Sequence, residues 1–263
     1  MEWWLGYLAV GAVAGFFAGM FGIGGGAIIV PLLVALFEAQ GLPKTHILHL
    51  AVGTGMATIL FTSVASVRAH AARGAIRWDI AWKMTPGVIA GGLVGSGMTK
   101  FIPVGLFAAL FALVIIIAGT NLLLDLKPKP SRRPPRLAGM LVAGFVISAL
   151  SALAAVGGAF LSVPFMLWCN VPLLTAIGTA AAIGFPIALS GTIGFVAAGL
   201  RETVLPPYSL GFVFLPALAG IVIASVLTAP LGARTAHRLP TKWLKRICAL
   251  LFYAIATRML LSF

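Results

Sequence analysis

Long runs of apolar residues, separated by short polar stretches, dominate the chain. The runs are continuous and do not alternate between apolar and polar positions as the strands of a membrane barrel do. Most are about 20 residues long, enough for a helix to cross the hydrocarbon core. The pattern predicts an all-α polytopic membrane protein. The predicted apolar segments are 3–22, 26–38, 47–67, 80–99, 103–124, 137–156, 159–170, 174–199, 207–230 and 243–263.

Two of these segments are too short to cross a membrane. Segments 26–38 and 159–170 correspond to roughly 20 Å of helix each. A short apolar helix after a glycine break is typical of a discontinuous or re-entrant membrane element. We therefore predict two glycine-broken helical hairpins, 3–38 and 137–170, each of which either spans fully or turns back. The glycines before the short helices are Gly24, Gly25 and Gly26 in the first hairpin and Gly157 and Gly158 in the second.

The second half of the chain repeats features of the first half in the same order. The string AVGT at 51–54 matches AIGT at 176–179, an offset of 125 residues. Ordered matches of this kind predict a duplication, with a first repeat at 1–126, a linker at 127–136 and a second repeat at 137–263. Further matched pairs are Gly11 and Gly144, Gly15 and Ser148, Ala18 and Ser151, Gly24 and Gly157, Gly25 and Gly158, Pro31 and Pro164 at an offset of 133, and Gly95 and Gly232 at an offset of 137.

Composition agrees with lipid as the main surroundings of the chain. Hydrophobic residues make up 61% of it and charged residues only 9%, too few to cover a water-facing surface. The net charge of +13 does not indicate nucleic-acid binding, because 14 of the 18 Lys and Arg residues lie in three short loops. These basic loops are 68–83, 127–136 and 234–246.

The basic loops also predict the orientation of the helices. The positive-inside rule places all three in the cytoplasm of an inner-membrane protein. Segment 47–67 then runs inward, whereas its counterpart 174–199 runs outward. We therefore predict two inverted-topology repeats, each a glycine-broken hairpin plus three spanning helices. Transporters often have this plan, with the substrate site between the repeats near mid-membrane.

The glycine-rich strings resemble those of a known family. Residues 15–33, GFFAGMFGIGGGAIIVPLL, and 144–164, GFVISALSALAAVGGAFLSVP, look like the TauE/SafE family of membrane transporters. The resemblance covers essentially the whole chain and implies a transporter that exports sulfite, sulfoacetate or a related sulfur-containing anion. One departure is that Ala155 and Ala159 stand where the first half has Gly22 and Gly26, which predicts a tighter second bend.

The glycine breaks are the predicted anion site. The helix after each break turns its unpaired N–H groups and the positive end of its dipole toward the break. Two inverted breaks bring two such N-termini toward one point, which suits sulfite, a sulfonate or a carboxylate. The alternative explanation is close packing of helices by small residues. The predicted substrate-binding glycines are Gly24, Gly25, Gly26, Gly157 and Gly158.

Three polar side chains are further candidates for substrate binding. Thr54 and Thr179 occupy equivalent positions, and a hydroxyl group there can donate to a bound oxyanion. The alternative is a hydrogen bond back to a carbonyl of the same helix. His49 can titrate near neutral pH, although a histidine at a helix boundary is often without a role.

The remaining residues favour no other chemistry. All five carboxylates lie at the N-terminus or at predicted helix ends, which argues against a cation site in mid-membrane. The sequence has no nucleophile–base pair, metal-ligand spacing or nucleotide-binding motif, so we predict a secondary transporter without a cofactor and without enzymatic activity. The expected partners are a small anionic substrate and the lipid bilayer, and not nucleic acid. Transport of another solute, uptake, a non-transporting scaffold subunit and a homodimer stay open.

Overall fold

The computed structural model describes residues 3–21, 25–124, 135–155, 157–202, 204–236 and 241–262. In these ranges the chain forms ten α-helices, one short 3-10 helix and one β-hairpin, which confirms the predicted all-α class. The helices of the first half are α1 (Trp4–Phe21), α2 (Gly26–Ala39), α3 (Lys44–Ala71), α4 (Trp78–Met98) and α5 (Val104–Leu124), with the 3-10 helix Thr99–Phe101 before α5. Those of the second half are α6 (Leu137–Ala154), α7 (Ala159–Trp168), α8 (Leu173–Gly199), α9 (Leu215–Ala236) and α10 (Thr241–Ser262).

Within the ranges given above, four helices are long and apolar enough to cross a membrane. They are α3, residues 104–121 of α5, α6 and α8. α2 and α7 are much shorter, with 14 and 10 residues, which correspond to roughly 21 and 15 Å. The two short helices predicted from the glycine breaks are therefore present.

The start of the ninth helix differs from the sequence prediction. Segment 207–230 begins not as a helix but with the β-hairpin, whose strands are β1 (Ser209–Leu210) and β2 (Val213–Phe214). Gly211, at φ +55°, provides the turn between the strands. Hydropathy alone cannot separate a buried apolar hairpin from the first turns of a helix.

The main helix pairs all join the two halves of the chain. α1 packs on α9, α6 on α4, α5 on α10, and α3 on α8. α1 and α6 are the first helices of their halves, and α9 and α4 are the fourth, so the two halves exchange partners. The most extensive helix packing is therefore between the two halves and not within them.

The outer helix pairs have equivalent registers. A Cβ atom at Gly11 of α1 would lie 2.6 Å from the carbonyl oxygen of Ile221 in α9, and one at Gly144 of α6 would lie 2.6 Å from that of Met84 in α4. Gly144 follows Gly11 by 133 residues, and Ile221 follows Met84 by 137. These are two of the offsets found in the sequence. The matching contacts support the duplication, which stays a prediction.

α3 and α8 form the antiparallel centre of the fold. A Cβ atom at Gly53 of α3 would contact the side chain of Phe195, and one at Gly191 of α8 would contact that of Met56. Residue numbers thus rise along one helix and fall along the other. An inverted repeat requires this relation between two equivalent spanning helices.

Candidate functional site

Both short helices begin at a glycine with left-handed backbone. Gly25 is the N-cap of α2 at φ +77°, and Gly158 is the N-cap of α7 at φ +50°. Residues with a Cβ rarely adopt this conformation, so the glycines permit each abrupt helix start. Neither N-terminus has a side-chain cap. A predicted member of the site, Gly24, lies outside the described residues.

The two glycine breaks meet inside the protein. Gly26, the first residue of α2, lies directly against the carbonyl group of Ala155, where α6 ends. A Cβ atom at Gly55 of α3 would contact both Val30 of α2, at 3.2 Å, and the Cβ atom of Ala155, at 3.4 Å. Any side chain at position 26 would force the two breaks apart. The structure therefore brings Gly25 and Gly26 together with the second break.

The second break is held by α8. A Cβ atom at Gly158 would collide with the side chain of Ile187, and the carbonyl oxygen of Gly157 lies 3.8 Å from the Cβ position of Gly184. Gly157 and Gly158, two and three residues after Ala155, thus lie against α8. Four of the five predicted site glycines lie at the two breaks, and the fifth is Gly24.

Ala155 itself has an unfavourable backbone conformation. It ends α6 at φ 45°, ψ 38°, in the left-handed region, which costs an L-residue roughly 1–2 kcal/mol. Ala155 is fully buried and stands where the first half has Gly22. Strain of this kind occurs most often at functional sites, where the surrounding packing maintains it.

Thr54 and Thr179 hold backbone of the opposite half of the chain. The Thr54 hydroxyl oxygen accepts a hydrogen bond from the N–H group of Phe214 at 2.9 Å, next to the start of α9. The Thr179 hydroxyl oxygen accepts one from the N–H group of Arg77 at 2.9 Å, next to the start of α4. Phe214 follows Arg77 by 137 residues, so the two hydrogen bonds are equivalent.

The glycine before each threonine allows this approach. Gly53 lies against the carbonyl group of Phe212, and Gly178 lies against that of Ala75. The AVGT and AIGT strings therefore form two equivalent clasps. In each clasp, a glycine and a threonine of one half hold the segment of the other half that leads into its fourth helix. Thr179 also donates to the carbonyl of Thr175 at 2.6 Å. These bonds give the threonines a structural role, and substrate binding by them stays a prediction.

His49 is buried between aromatic rings near the first clasp. Its ring centroid lies 5.0 Å from that of Phe107 and 5.0 Å from that of Phe212. Its Nε2–H group donates to the carbonyl of Thr99 at 3.1 Å, whereas Nδ1 has no hydrogen-bond partner. His49 thus packs against the hairpin segment that Thr54 holds. None of these contacts joins His49 to the residues where the two glycine breaks meet.

Buried polar groups in the described residues are hydroxyl groups and one histidine, with no carboxylate among them. The acidic side chains of the described chain that form ion pairs lie near helix ends. Asp79 binds Arg77 at 2.6 Å on an exposed surface, and Glu202 lies 4.0 Å from His46. In the same part of the chain, no group of three or more potential ligands could hold a metal ion.

Comparison with known proteins identifies the family. The family model described as "Sulfite exporter TauE/SafE" matches residues 7–259. The chain belongs to the TauE/SafE family. It is a multi-pass membrane transporter, as the names of its relatives also indicate.

Three relatives of this TauE/SafE protein are similar to it over most of their length. A probable membrane transporter protein of Haemophilus influenzae is 32% identical over 256 residues, which cover 97% of each chain. One of Methanocaldococcus jannaschii is 25% identical and covers 90% of this chain and 88% of its own. The probable membrane transporter protein YdhB of Bacillus subtilis is 27% identical, with 88% and 89% covered. No solved structure matches the chain.

Two buried residues of this TauE/SafE chain escaped the sequence analysis as candidates. The hydroxyl groups of Ser148 and Ser151, both in α6, have no hydrogen-bond partner. In the sequence they aligned with Gly15 and Ala18 and counted only as small residues. Their polarity, absent from the matched positions of the first half, was the available signal.

Proposed function

We propose that this TauE/SafE protein is a secondary transporter that exports a small sulfur-containing anion, such as sulfite or sulfoacetate, through a site where the two glycine breaks meet. The contact between Gly26 and the Ala155 carbonyl is the observation that carries this proposal. It brings the beginning of α2 to the end of α6, a few residues before α7 begins. The family description, sulfite exporter, supports the substrate class.

The helix N-termini favour an anion at this point. Each N-terminus carries about half a positive charge and stabilises a nearby anion by roughly 0.3–1 kcal/mol, or up to ~2 kcal/mol when partly buried. The N-termini of α2 and α7 have no side-chain caps that would compete with a ligand. The lack of a buried carboxylate in the described residues supports the same sign of substrate.

The predicted site residues have different parts in this proposal. Gly24, Gly25, Gly26, Gly157 and Gly158 let main-chain N–H groups face the anion without intervening side chains. The remaining candidates, Thr54, Thr179 and His49, hold the segments around the site through the observed bonds, and direct contact with substrate is their further proposed role.

The proposed membrane orientation follows from charge and helix direction. The basic loops 68–83, 127–136 and 234–246 face the cytoplasm, with the protein in the inner membrane. The antiparallel contact of α3 and α8 supports inverted repeats, which would let the two halves open the site alternately to each side. Labelling of single cysteines placed in these loops, from inside and outside sealed vesicles, tests the orientation.

Flux measurements test the proposed function. Wild-type protein in proteoliposomes is expected to carry radiolabelled sulfite or sulfoacetate down its gradient. Gly26→Val should abolish this flux, because its side chain would displace the Ala155 carbonyl. Gly184→Ala is the matched control, since its Cβ would meet nothing nearer than 3.8 Å. Flux that survives in Gly26→Val would place the site elsewhere.

The same vesicles test the direction of transport and whether the protein is a transporter or a scaffold. Vesicles sorted by orientation with the cysteine label show whether substrate moves out of or into the cytoplasmic compartment, which separates export from uptake. An imposed pH gradient that changes the rate would show proton coupling. If neither sulfite, nor sulfoacetate, nor any other solute is transported, the chain is a non-transporting scaffold.

A further inference from the structure

Most Ser and Thr residues that are buried in the described chain have a hydrogen-bond partner for their hydroxyl group. Eleven Ser and Thr residues are buried, and nine of them make a bond, mostly to a carbonyl three or four residues earlier in the same helix. Such bonds are the usual solution for hydroxyl groups in membrane helices. The two exceptions among these eleven residues are Ser148, 0% exposed, and Ser151, 1% exposed. The buried hydroxyl oxygens of two partly exposed residues, Thr192 and Ser209, also have no partner.

The two serines share the face of α6 that leads to the glycine breaks. Ser151 lies four residues before Ala155, and Ser148 lies seven before it. Residues at spacings of three, four and seven lie on the same side of a helix. Ser148 and Ser151 therefore lie on the side of α6 that ends at Ala155. The Ala155 Cβ atom contacts Gly55, and its carbonyl contacts Gly26. Ser151 is thus one helical turn, about 6 Å of rise, from the meeting point.

The surroundings of Ser148 place it between three helices. A Cβ atom at Gly92 of α4 would lie 2.9 Å from the Ser148 hydroxyl oxygen and would also collide with Ser190 of α8. Ser190 donates to its own helix at the Pro186 carbonyl, 2.8 Å away. The Ser190 hydroxyl group therefore already donates its proton, whereas the hydroxyl proton of Ser148 has no acceptor.

The first half has no equivalent hydroxyl groups. The matched positions in α1 are Gly15 and Ala18. Gly15 packs against Ser225 and Thr228 of α9 without a hydroxyl group of its own, so the equivalent packing of α6 does not require serine. A buried hydroxyl group without a partner costs free energy, and proteins seldom retain one without a function.

We propose that Ser151 and Ser148 donate hydrogen bonds to the transported anion, and that the substrate is a small oxyanion with at least two accepting oxygen atoms. This inference rests on the proposed function and names side-chain ligands for its site. The helix N-termini of α2 and α7 attract the anion to the breaks. The O–H groups of Ser151 and Ser148, about 6 and 10 Å along α6 from Ala155, then contact its sulfite, sulfonate or carboxylate oxygens as it moves along this helix. Both hydroxyl groups come from α6, in the second half of the chain.

Replacement of each serine by alanine separates substrate binding from structure. The variants are Ser148→Ala, Ser151→Ala and the double variant, in full-length protein. Ser225→Ala is the matched control: Ser225 is buried in the equivalent helix pair, beside Gly15, and its hydroxyl donates to Val222 at 3.1 Å. Two quantities are measured, the KM of sulfite and of sulfoacetate flux in proteoliposomes and the melting temperature in detergent.

We expect Ser151→Ala to raise KM by about ten- to a hundredfold, the usual loss for a hydrogen bond to a charged group. Ser148→Ala should raise it by a similar or smaller factor. The melting temperature should not fall, because the removed hydroxyl groups have no protein partner. Ser225→Ala should leave KM unchanged.

Other outcomes overturn the inference. Unchanged KM in the double variant would exclude the serines as ligands, and a fall in melting temperature with unchanged KM would show that they serve only the structure. If wild-type protein carries neither anion and sulfite does not raise its melting temperature, the proposed function itself fails. A loss confined to the serine variants therefore cannot be mistaken for a wrong substrate.

Discussion

The two clasp threonines provide a quantitative test of how the halves are held together. Thr54→Val and Thr179→Val each keep nearly the same side-chain shape and remove one hydroxyl group. The first leaves the N–H group of Phe214 without its acceptor, and the second does the same to Arg77. Thr54 and Thr179 are equivalent positions in the two halves, so each Val variant serves as the control for the other.

The expected costs differ because the two donors differ in burial. The Thr54–Phe214 bond is buried, and Phe214 is 8% exposed. Loss of its acceptor leaves a buried donor unpaired, which costs about 1–3 kcal/mol. The Thr179–Arg77 bond is partly buried beside an exposed residue. Water can replace the lost acceptor there, so the expected cost is about 0.5–1 kcal/mol.

Thermal unfolding in detergent measures the difference. At roughly 2–4 °C per kcal/mol for a chain of this size, we expect Thr54→Val to lower the melting temperature by about 2–12 °C and Thr179→Val by about 1–4 °C. Thr54→Ser and Thr179→Ser keep the oxygen atom and should remain close to wild type. If Thr179→Val costs as much as Thr54→Val, burial does not set the strength of the clasps. If both Val variants raise the KM of sulfite and leave the melting temperature unchanged, the threonines are ligands and the structural explanation is wrong.

Three further predictions, with four substitutions, test other parts of the fold. Ala155→Gly should raise the melting temperature, with a gain of roughly 0.5–1 kcal/mol after the greater flexibility of unfolded glycine is subtracted from the relieved strain; an unchanged or lower value would show that position 155 is not strained. Gly178→Ala should destabilise the protein, because its Cβ would collide with the Ala75 carbonyl, whereas Gly97→Ala in α4, with nothing within 4 Å of its Cβ, should be neutral or stabilising by about 0.5–1 kcal/mol; equal effects in the same unfolding assay would contradict the close contact. His49→Phe keeps the ring packing and removes the bond to Thr99, so we expect a loss of about 1 kcal/mol in the free energy of unfolding together with lower flux; flux at the wild-type rate would leave His49 only its structural part.

Much of the fold could be predicted from local features of the sequence. The glycine breaks marked the starts of α2 and α7, because a helix start after Gly25 or Gly158 depends on nearby backbone conformation. The hairpin before α9 was missed, because residues 209–214 are as apolar as a helix and residues 211–214 are buried. Hydropathy reports burial and does not distinguish these two forms.

The candidate site was only partly predictable. Adjacent glycines indicated where the chain breaks, and their duplication indicated that two breaks exist. The prediction for Thr54 and Thr179 identified equivalent residues but not their partners, which lie 160 and 102 positions away in the chain. Ser148 and Ser151 could not be separated from other helical serines, because most such residues satisfy themselves within their own helix.

The sequence by itself determined that this protein is a helical membrane protein with two glycine-broken hairpins and few charges between its basic loops. Those properties follow from hydropathy and local backbone preference, which act over one or two helical turns. Only the tertiary structure decided that Gly26 meets Ala155, that each threonine holds the other half, and that two hydroxyl groups of α6 have no partner. Contact and hydrogen-bond satisfaction depend on which distant segments pack together, and no short stretch of sequence contains that information.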